Sequence, residues 1–401
     1  MEEKLFNKGF LTITIINFIV YLVYYLMMVI IAVVAHDQLH ASFGQAGLAS
    51  GIYIIGTLIA RLIMGKELEL IGRKRVARWG AILYLITTVA YLAVPTIGVL
   101  DGVRLLNGFA YGMTSTALNA IVTEFIPEKR KGEGINYYGL STSLAAAIGP
   151  FIGLLLLNAT SFQFIVILST VLIGVSMVAL FAVKINNVNL SAAHLAELKS
   201  WKISSFIEFK VLLIAAIGFL MGLSYSSVLS FLASYAETLH LVAISSFFFV
   251  VYAGIVTLTR PMSGRIFDRF GENYVMYPSY LFLAVGLVIL AFANNGFVLL
   301  LSGAFIGLGY GTFMSNGQAV TLKLVTSHRI GIALSTYFIG LDLGLGVGPY
   351  VLGALHNALS FRELYLVSAV IPIVSAILYL LFYHPNKTKK VAQKVTKREL
   401  A

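Results

Sequence analysis

Asp342 is the one charged residue in YFIGLDLGLGVGP, the stretch from Tyr337 to Pro349. A carboxyl in apolar surroundings is costly unless it is paired or protonated, and a group with those two options can take up and release protons. A second polar constellation lies in LDGVRLLNGFAYGMTSTALN, from Leu100 to Asn119. Arg104, Asn107, Tyr111 and Ser115 follow one another at helical spacing and share one face, with Asn119 one turn further on. Asp101 stands one turn before Arg104, where an acid and a cation can pair. Much other chemistry is excluded. The chain has no cysteine, which removes disulfides, thiolate metal sites and cysteine nucleophiles. Its seven histidines lie mostly between apolar segments and form no metal or triad constellation. No G-x-x-x-x-G-K-[ST] loop is present to hold ATP. No catalytic residue, cofactor or metal is expected.

Composition decides which elements carry these residues. The chain is 59% hydrophobic and 11% charged, whereas globular proteins are about 25% charged. Twelve apolar blocks are long enough to cross a bilayer: 10–35, 44–64, 79–99, 100–122, 135–157, 162–183, 211–233, 242–262, 275–293, 297–321, 330–355 and 363–383. Lipid satisfies no backbone hydrogen bond, and no barrel-type alternation is visible, so the blocks must be helices. The fold class is therefore an all-α integral membrane protein with twelve transmembrane helices. The first block is too long for a cleaved signal and reads as the first helix. Counted from Ile330, Asp342 lies about 18 Å into the eleventh helix, near the midplane.

The net charge of +11 is a topology signal. With the N-terminus inside, Arg73, Lys74 and Arg75, then Lys129, Arg130 and Lys131, then Arg265 and Arg269, and the lysine-rich tail all fall on the cytoplasmic side. Arg362 falls outside. That bias puts both termini in the cytoplasm and gives nucleic-acid binding almost no weight.

The chain is one unit written twice. ARLIMGKELELIGRKRV, Ala60–Val76, aligns with TRPMSGRIFDRFGENYV, Thr259–Val275, at an offset of 199. The register continues without a gap through Tyr111 and Tyr310, Asn119 and Gln318, and Gly149-Pro150 and Gly348-Pro349. Six helices per copy make the repeats parallel, related by an axis along the membrane normal. The expected domains are 1–184, a cytoplasmic linker at 185–208, 209–385, and a basic tail at 386–401. LSAAHLAELKSW in the linker reads as a short amphipathic surface helix.

A 6+6 parallel repeat with a glycine–acid–glycine–basic loop after the second and eighth helices resembles the major facilitator superfamily. Gly264, Asp268, Arg269 and Gly271 fit its G-x-x-x-D-R-x-G loop. Gly65, Glu69, Gly72 and Arg73 depart from it, with glutamate for aspartate and Leu70 where a basic residue is usual. The resemblance implies a conformational latch, with Glu69 at the start of the eleventh helix and Asp268 at the start of the fifth. AAAIGPFIG, containing Gly149, Pro150 and Gly153, is similar to the G-x-x-x-G-P-x-x-G signature of the drug:proton antiporter branch. Gly348 and Pro349 repeat this helix-packing motif. Arg104-x-x-Asn107-Gly108 resembles the branch's intramembrane arginine motif.

In this family helices one, four, seven and ten line the central cavity. Polar and aromatic stripes fall on those four: Asn17, Tyr21, Tyr24 and Met28; Asn107, Tyr111, Ser115 and Asn119; Ser224, Ser227, Phe231 and Tyr235; Tyr310, Met314 and Gln318. The resemblance therefore implies a secondary active transporter, with proton-driven efflux of small amphipathic compounds as the leading mode. Asp342, or Arg104 with Asp101, would carry the coupling. A carrier dedicated to one metabolite (sugar, amino acid or metal chelator) is the alternative, and an intramembrane enzyme or a channel fits less well. The expected partners are lipid, a small-molecule substrate and protons, and the expected state is a monomer in the cell membrane, of bacterial type.

Overall fold

The computed structural model describes residues 5–41, 43–185, 202–245, 247–356 and 359–383. The expected linker helix at 190–201 and the tail at 386–401 lie outside them. Among the described residues there is no strand. Six long helices build each repeat. The first six are α1 (Lys8–Leu39), α2 (Phe43–Ile71), α3 (Arg73–Ala90), α4 (Ile97–Ile121), α5 (Lys131–Ala159) and α6 (Phe162–Ala182). The second six are α7 (Leu212–Thr238), α8 (Phe248–Phe270), α9 (Asn273–Ala291), α10 (Gly296–Lys323), α11 (Ile330–His356) and α12 (Phe361–Phe382). Polar caps start several of them: Asn7 accepts from the Phe10 N–H, and Ser360 forms a capping box with Glu363.

Nine of these helices are long and apolar enough to cross a membrane. The other three, α2, α4 and α8, are diluted by polar and charged residues, and the fold buries an arginine within each. Arg61, Arg104 and Arg260 are 2%, 0% and 1% exposed. A hydropathy measure cannot tell an arginine facing a neighbouring helix from one facing lipid. The outer faces of the helices are apolar, with Phe151, Leu258 and Phe297 among the exposed side chains.

The chain divides into two compact units, Met1–Pro127 with Ser141–Ile207, and Glu128–Leu140 with Glu208–Ala401. Residues 128–140, at the head of α5, belong to the second unit. In the first unit α4 packs on α2 and α3. In the second, α7 packs on α11 and α12, and α9 on α12 and α10. Gly149 and Gly153 of α5 lie against Tyr25 and Leu26 of α1, and Pro150 sits between them inside the helix. Gly344 and Gly348 of α11 lie against Phe219 and Ser226 of α7, so the small-residue motifs of both copies meet the first helix of their own repeat. The side chain of Pro349 is outside the described set. In α10, Gly307–Gly311 forms a π-helical turn, whereas the matching Gly108–Gly112 of α4 is regular α-helix.

Candidate transport site

The first unit holds Arg104 entirely within protein. Its Nε donates to the Ala49 carbonyl at 2.8 Å and its Nη1 to the Tyr91 hydroxyl at 3.4 Å, while Nη2 lies 3.3 Å from the Met28 sulfur. The guanidinium also lies over the Tyr53 ring, 4.5 Å from its centre. Burying a guanidinium is tolerable where its donors meet acceptors and an aromatic face. Arg104 does not snorkel. Asp101 lies close enough to feel its charge, yet the buried Asp101 Oδ1 makes no hydrogen bond. The pairing expected at that spacing is thus reduced to a charge interaction, because the long arginine side chain reaches across to Ala49 of α2 and to Tyr91 just past α3 instead.

Tyrosines surround this cation. Tyr24 stacks on Tyr111 and Tyr53 at 4.7 and 5.2 Å, and Tyr21 meets Tyr111 edge-on at 5.4 Å. Asn17, 0% exposed, donates to Ser141 and Thr142 of α5 at 2.8 and 3.1 Å. Asn107 donates to Thr87 and Thr88 at 2.8 and 3.3 Å and accepts from Tyr91. It is therefore bound to α3. Ser115 donates to the Gly112 carbonyl, and Asn119 to the Ser115 carbonyl, within α4.

The second unit repeats the tyrosine cluster without its arginine. Tyr225 stacks on Tyr310 at 4.1 Å and on Tyr252 at 5.6 Å. Tyr252 and Tyr310 stand 199 residues beyond Tyr53 and Tyr111, and at the place of Arg104 stands Gly303. Arg260 supplies a cation here, its Nε donating to the Gly311 carbonyl of the π turn at 3.2 Å. Asp342 is half-buried in α11, near enough for its charge to act on Tyr310. Ser224 donates to the Ser368 carbonyl of α12 at 2.9 Å, and Ser227 to the Ser224 carbonyl. Tyr235 donates to the Ala291 carbonyl at 3.2 Å. The Met314 carbonyl accepts from Tyr337 at 2.8 Å. Phe231 is partly exposed beside Gly353, and Gln318 is buried.

The two acid loops end in tight turns at Gly72 and Gly271, whose φ angles of 97° and 100° suit glycine alone. Asp268 accepts the backbone N–H groups of Gly132 and Glu133, both at 2.8 Å, and so caps the first turn of α5. A Cβ on Gly264 would come within 2.7 Å of Glu133 Cα, so glycine permits the approach. Deeper along α5, Asn136 donates to Asn316 Oδ1 at 3.0 Å, and Ser263 donates to Asn136 at 3.1 Å. Within the first unit Glu69 is gripped by Arg73, just past the Gly72 turn, at 2.7–3.1 Å from Nε and Nη2. Gly65 lies on α2 one turn before Glu69, and Arg269 is exposed beside Asp268.

Sequence reasoning passed over Tyr53, Tyr252, Asn136 and Asn316. The tyrosine pair was present in the repeat register; the amides carried no periodic signal.

The family model described as Major Facilitator Superfamily matches residues 13–294 and 246–400. An uncharacterised MFS-type transporter of Methanocaldococcus jannaschii is 22% identical over 83% of this chain and 88% of its own length. Multidrug resistance protein MdtL of Escherichia coli is 26% identical over 84% of this chain and 88% of its own length. Multidrug resistance protein MdtG of Enterobacter lignolyticus is 29% identical, over 45% of this chain and 44% of its own. Among solved structures, the transporter FucP in its outward conformation superimposes with a TM-score of 0.71 at 16% identity, covering 94% of this chain and 98% of FucP. The human organic anion transporter MFSD10 gives 0.75 at 14% identity, covering 92% and 98%.

Proposed function

This chain belongs to the Major Facilitator Superfamily, and from that premise we propose that it expels small amphipathic compounds in exchange for protons by alternating access. It is a multi-pass membrane transporter and not an enzyme. The observation that carries the finer reading is Asp342. A carboxyl half-buried on a membrane helix, with the uncharged Ser143 at its repeat position, breaks the symmetry of the two copies. Loss and gain of its proton would change the cost of burying it, and so bias which face of the transporter opens. The tyrosine clusters supply adaptable, weakly polar surface, and the names of the MdtL and MdtG relatives agree with export of drug-like molecules.

Asp342→Asn keeps size and hydrogen bonding and removes titration. In proteoliposomes, accumulation of a fluorescent amphipathic compound driven by a pH gradient should fall at least about tenfold, with counterflow exchange retained. Normal pH-driven accumulation in the variant would sink the proposal.

A further inference from the structure

An open pocket of about 450 Å³ lies where the head of α5 meets the end of α8, lined by Lys129, Arg130, Glu133, Arg265, Asp268 and Arg269. Its charges are unevenly committed. Glu133 accepts from Arg130 Nε at 2.6 Å and from Arg265 Nε at 2.9 Å, which uses one acid on two cations. Asp268 is spent on backbone N–H groups. Lys129 and Arg269 are exposed, and among the described residues neither meets a carboxylate. Four cations and two acids give the pocket a net surplus of two positive charges, and Lys129 and Arg269 are, among the described residues, the two cations without a carboxylate partner.

We propose that this pocket binds a phosphate ester, with Lys129 as a point charge and Arg269 as a planar fork, and that its source is an anionic phospholipid headgroup. A phosphate ester oxygen set matches a guanidinium fork beside an ammonium. The lipid source follows from what flanks the pocket. Phe270, next to Arg269, and Tyr274, 5.8 Å from Phe270 between ring centres, are both largely exposed. Exposed aromatics at a helix end mark the headgroup level of a bilayer, and cations there attract anionic lipid. Lys129 precedes α5 and Arg269 ends α8, so a bound headgroup would tie the two segments that Asp268 already joins. The site stands whether or not the chain exports drugs.

The test is native mass spectrometry of the detergent-purified full chain with phosphatidylglycerol, phosphatidylcholine and glycerol 3-phosphate as separate probes. Phosphatidylglycerol should be retained over phosphatidylcholine. Retention should weaken about tenfold in Lys129→Gln/Arg269→Gln and persist in Lys129→Arg/Arg269→Lys and in the remote control Arg75→Gln/Lys210→Gln. Because both residues are exposed, the thermal midpoint should not move. Binding of glycerol 3-phosphate without preference between the lipids, lost in the double glutamine variant, keeps the site and assigns it to a soluble phosphate ester. Equal phosphatidylglycerol retention in wild type and double glutamine variant overturns the site. So does equal loss in the remote control, which would reduce the effect to surface charge.

Discussion

Glu69 and Asp268 occupy the same place in the two repeats and bind different partners. Four residues on, the first copy has Arg73 and the second has Glu272. Fifty-one residues beyond those stand Glu124 and Lys323. Each unit joins its own pair: Arg73 Nη1 lies 3.2 Å from Glu124, and Lys323 Nζ lies 3.1 Å from Glu272. The same bridge is thus built twice with its polarity reversed. In the first unit the cation stands at the head of α3, just past the loop glycine, and takes the loop acid of α2 for itself. In the second unit a like charge stands there, and the loop acid is left to cap α5. The lesson is that the sign of a neighbouring charge, rather than the loop motif, sets what the loop acid binds within its own unit.

The largest effect should come from forcing the first unit into the polarity of the second. Arg73→Glu alone would bury like charges beside Glu69 and Glu124 and should cost about 3–5 kcal/mol. Adding Glu124→Lys should recover a substantial part of that loss. A double-mutant cycle of thermal unfolding in detergent checks it, and simple additivity of the two changes would break the comparison.

A smaller effect is expected at the cap. Asp268→Asn keeps an acceptor but loses the charge, worth about 1–2 kcal/mol at a helix start. The Gly132 and Glu133 amides should then exchange with solvent about tenfold faster, whereas Glu69→Gln should leave them unchanged. Equal effects of the two substitutions on those amides would erase the distinction.

The smallest effect concerns acid. Burial opposes ionisation of Glu272, but the Lys323 charge and hydrogen bonds, including one from Tyr383, outweigh it and hold its carboxyl below the ordinary range. A depressed carboxyl stabilises the fold above its unfolded value, about 4.3, and loses that contribution as pH falls through the folded value. Glu272→Gln should therefore cost up to about 1 kcal/mol at neutral pH, given the partly exposed lysine, and nothing in strong acid. A pH-independent difference would place the bridge's role elsewhere.

The all-helical fold class and the doubling of the chain were legible because apolar blocks and a constant register of 199 are properties of the string itself. What each face meets was not. Asn107 shares a stripe with Tyr111, but its amide is used by Thr87 and Thr88. Periodicity tells which residues share a face and is silent about what lies opposite. The reversed bridge was present in the register too, as Arg73 with Glu272 and Glu124 with Lys323, but an isolated charge in an alignment does not announce its partner. Asp101 and Arg104 had the spacing to pair, and the reach of the arginine to Ala49 decided otherwise.

The chain enters the second unit at Glu128, leaves it after Leu140, and returns only at Glu208. The head of α5 is therefore synthesised long before what holds it. Gly132 precedes Asp268 by 136 residues, and Asn136 precedes Asn316 by 180. These are among the most non-local contacts in the molecule, and closing loops of that length is slow. During synthesis the first turn of α5 is made before α7 and α8, and so before the Asp268 that caps it. Its docking is consequently a late event, and the second bundle completes its own packing only by taking in a piece of chain delivered with the first.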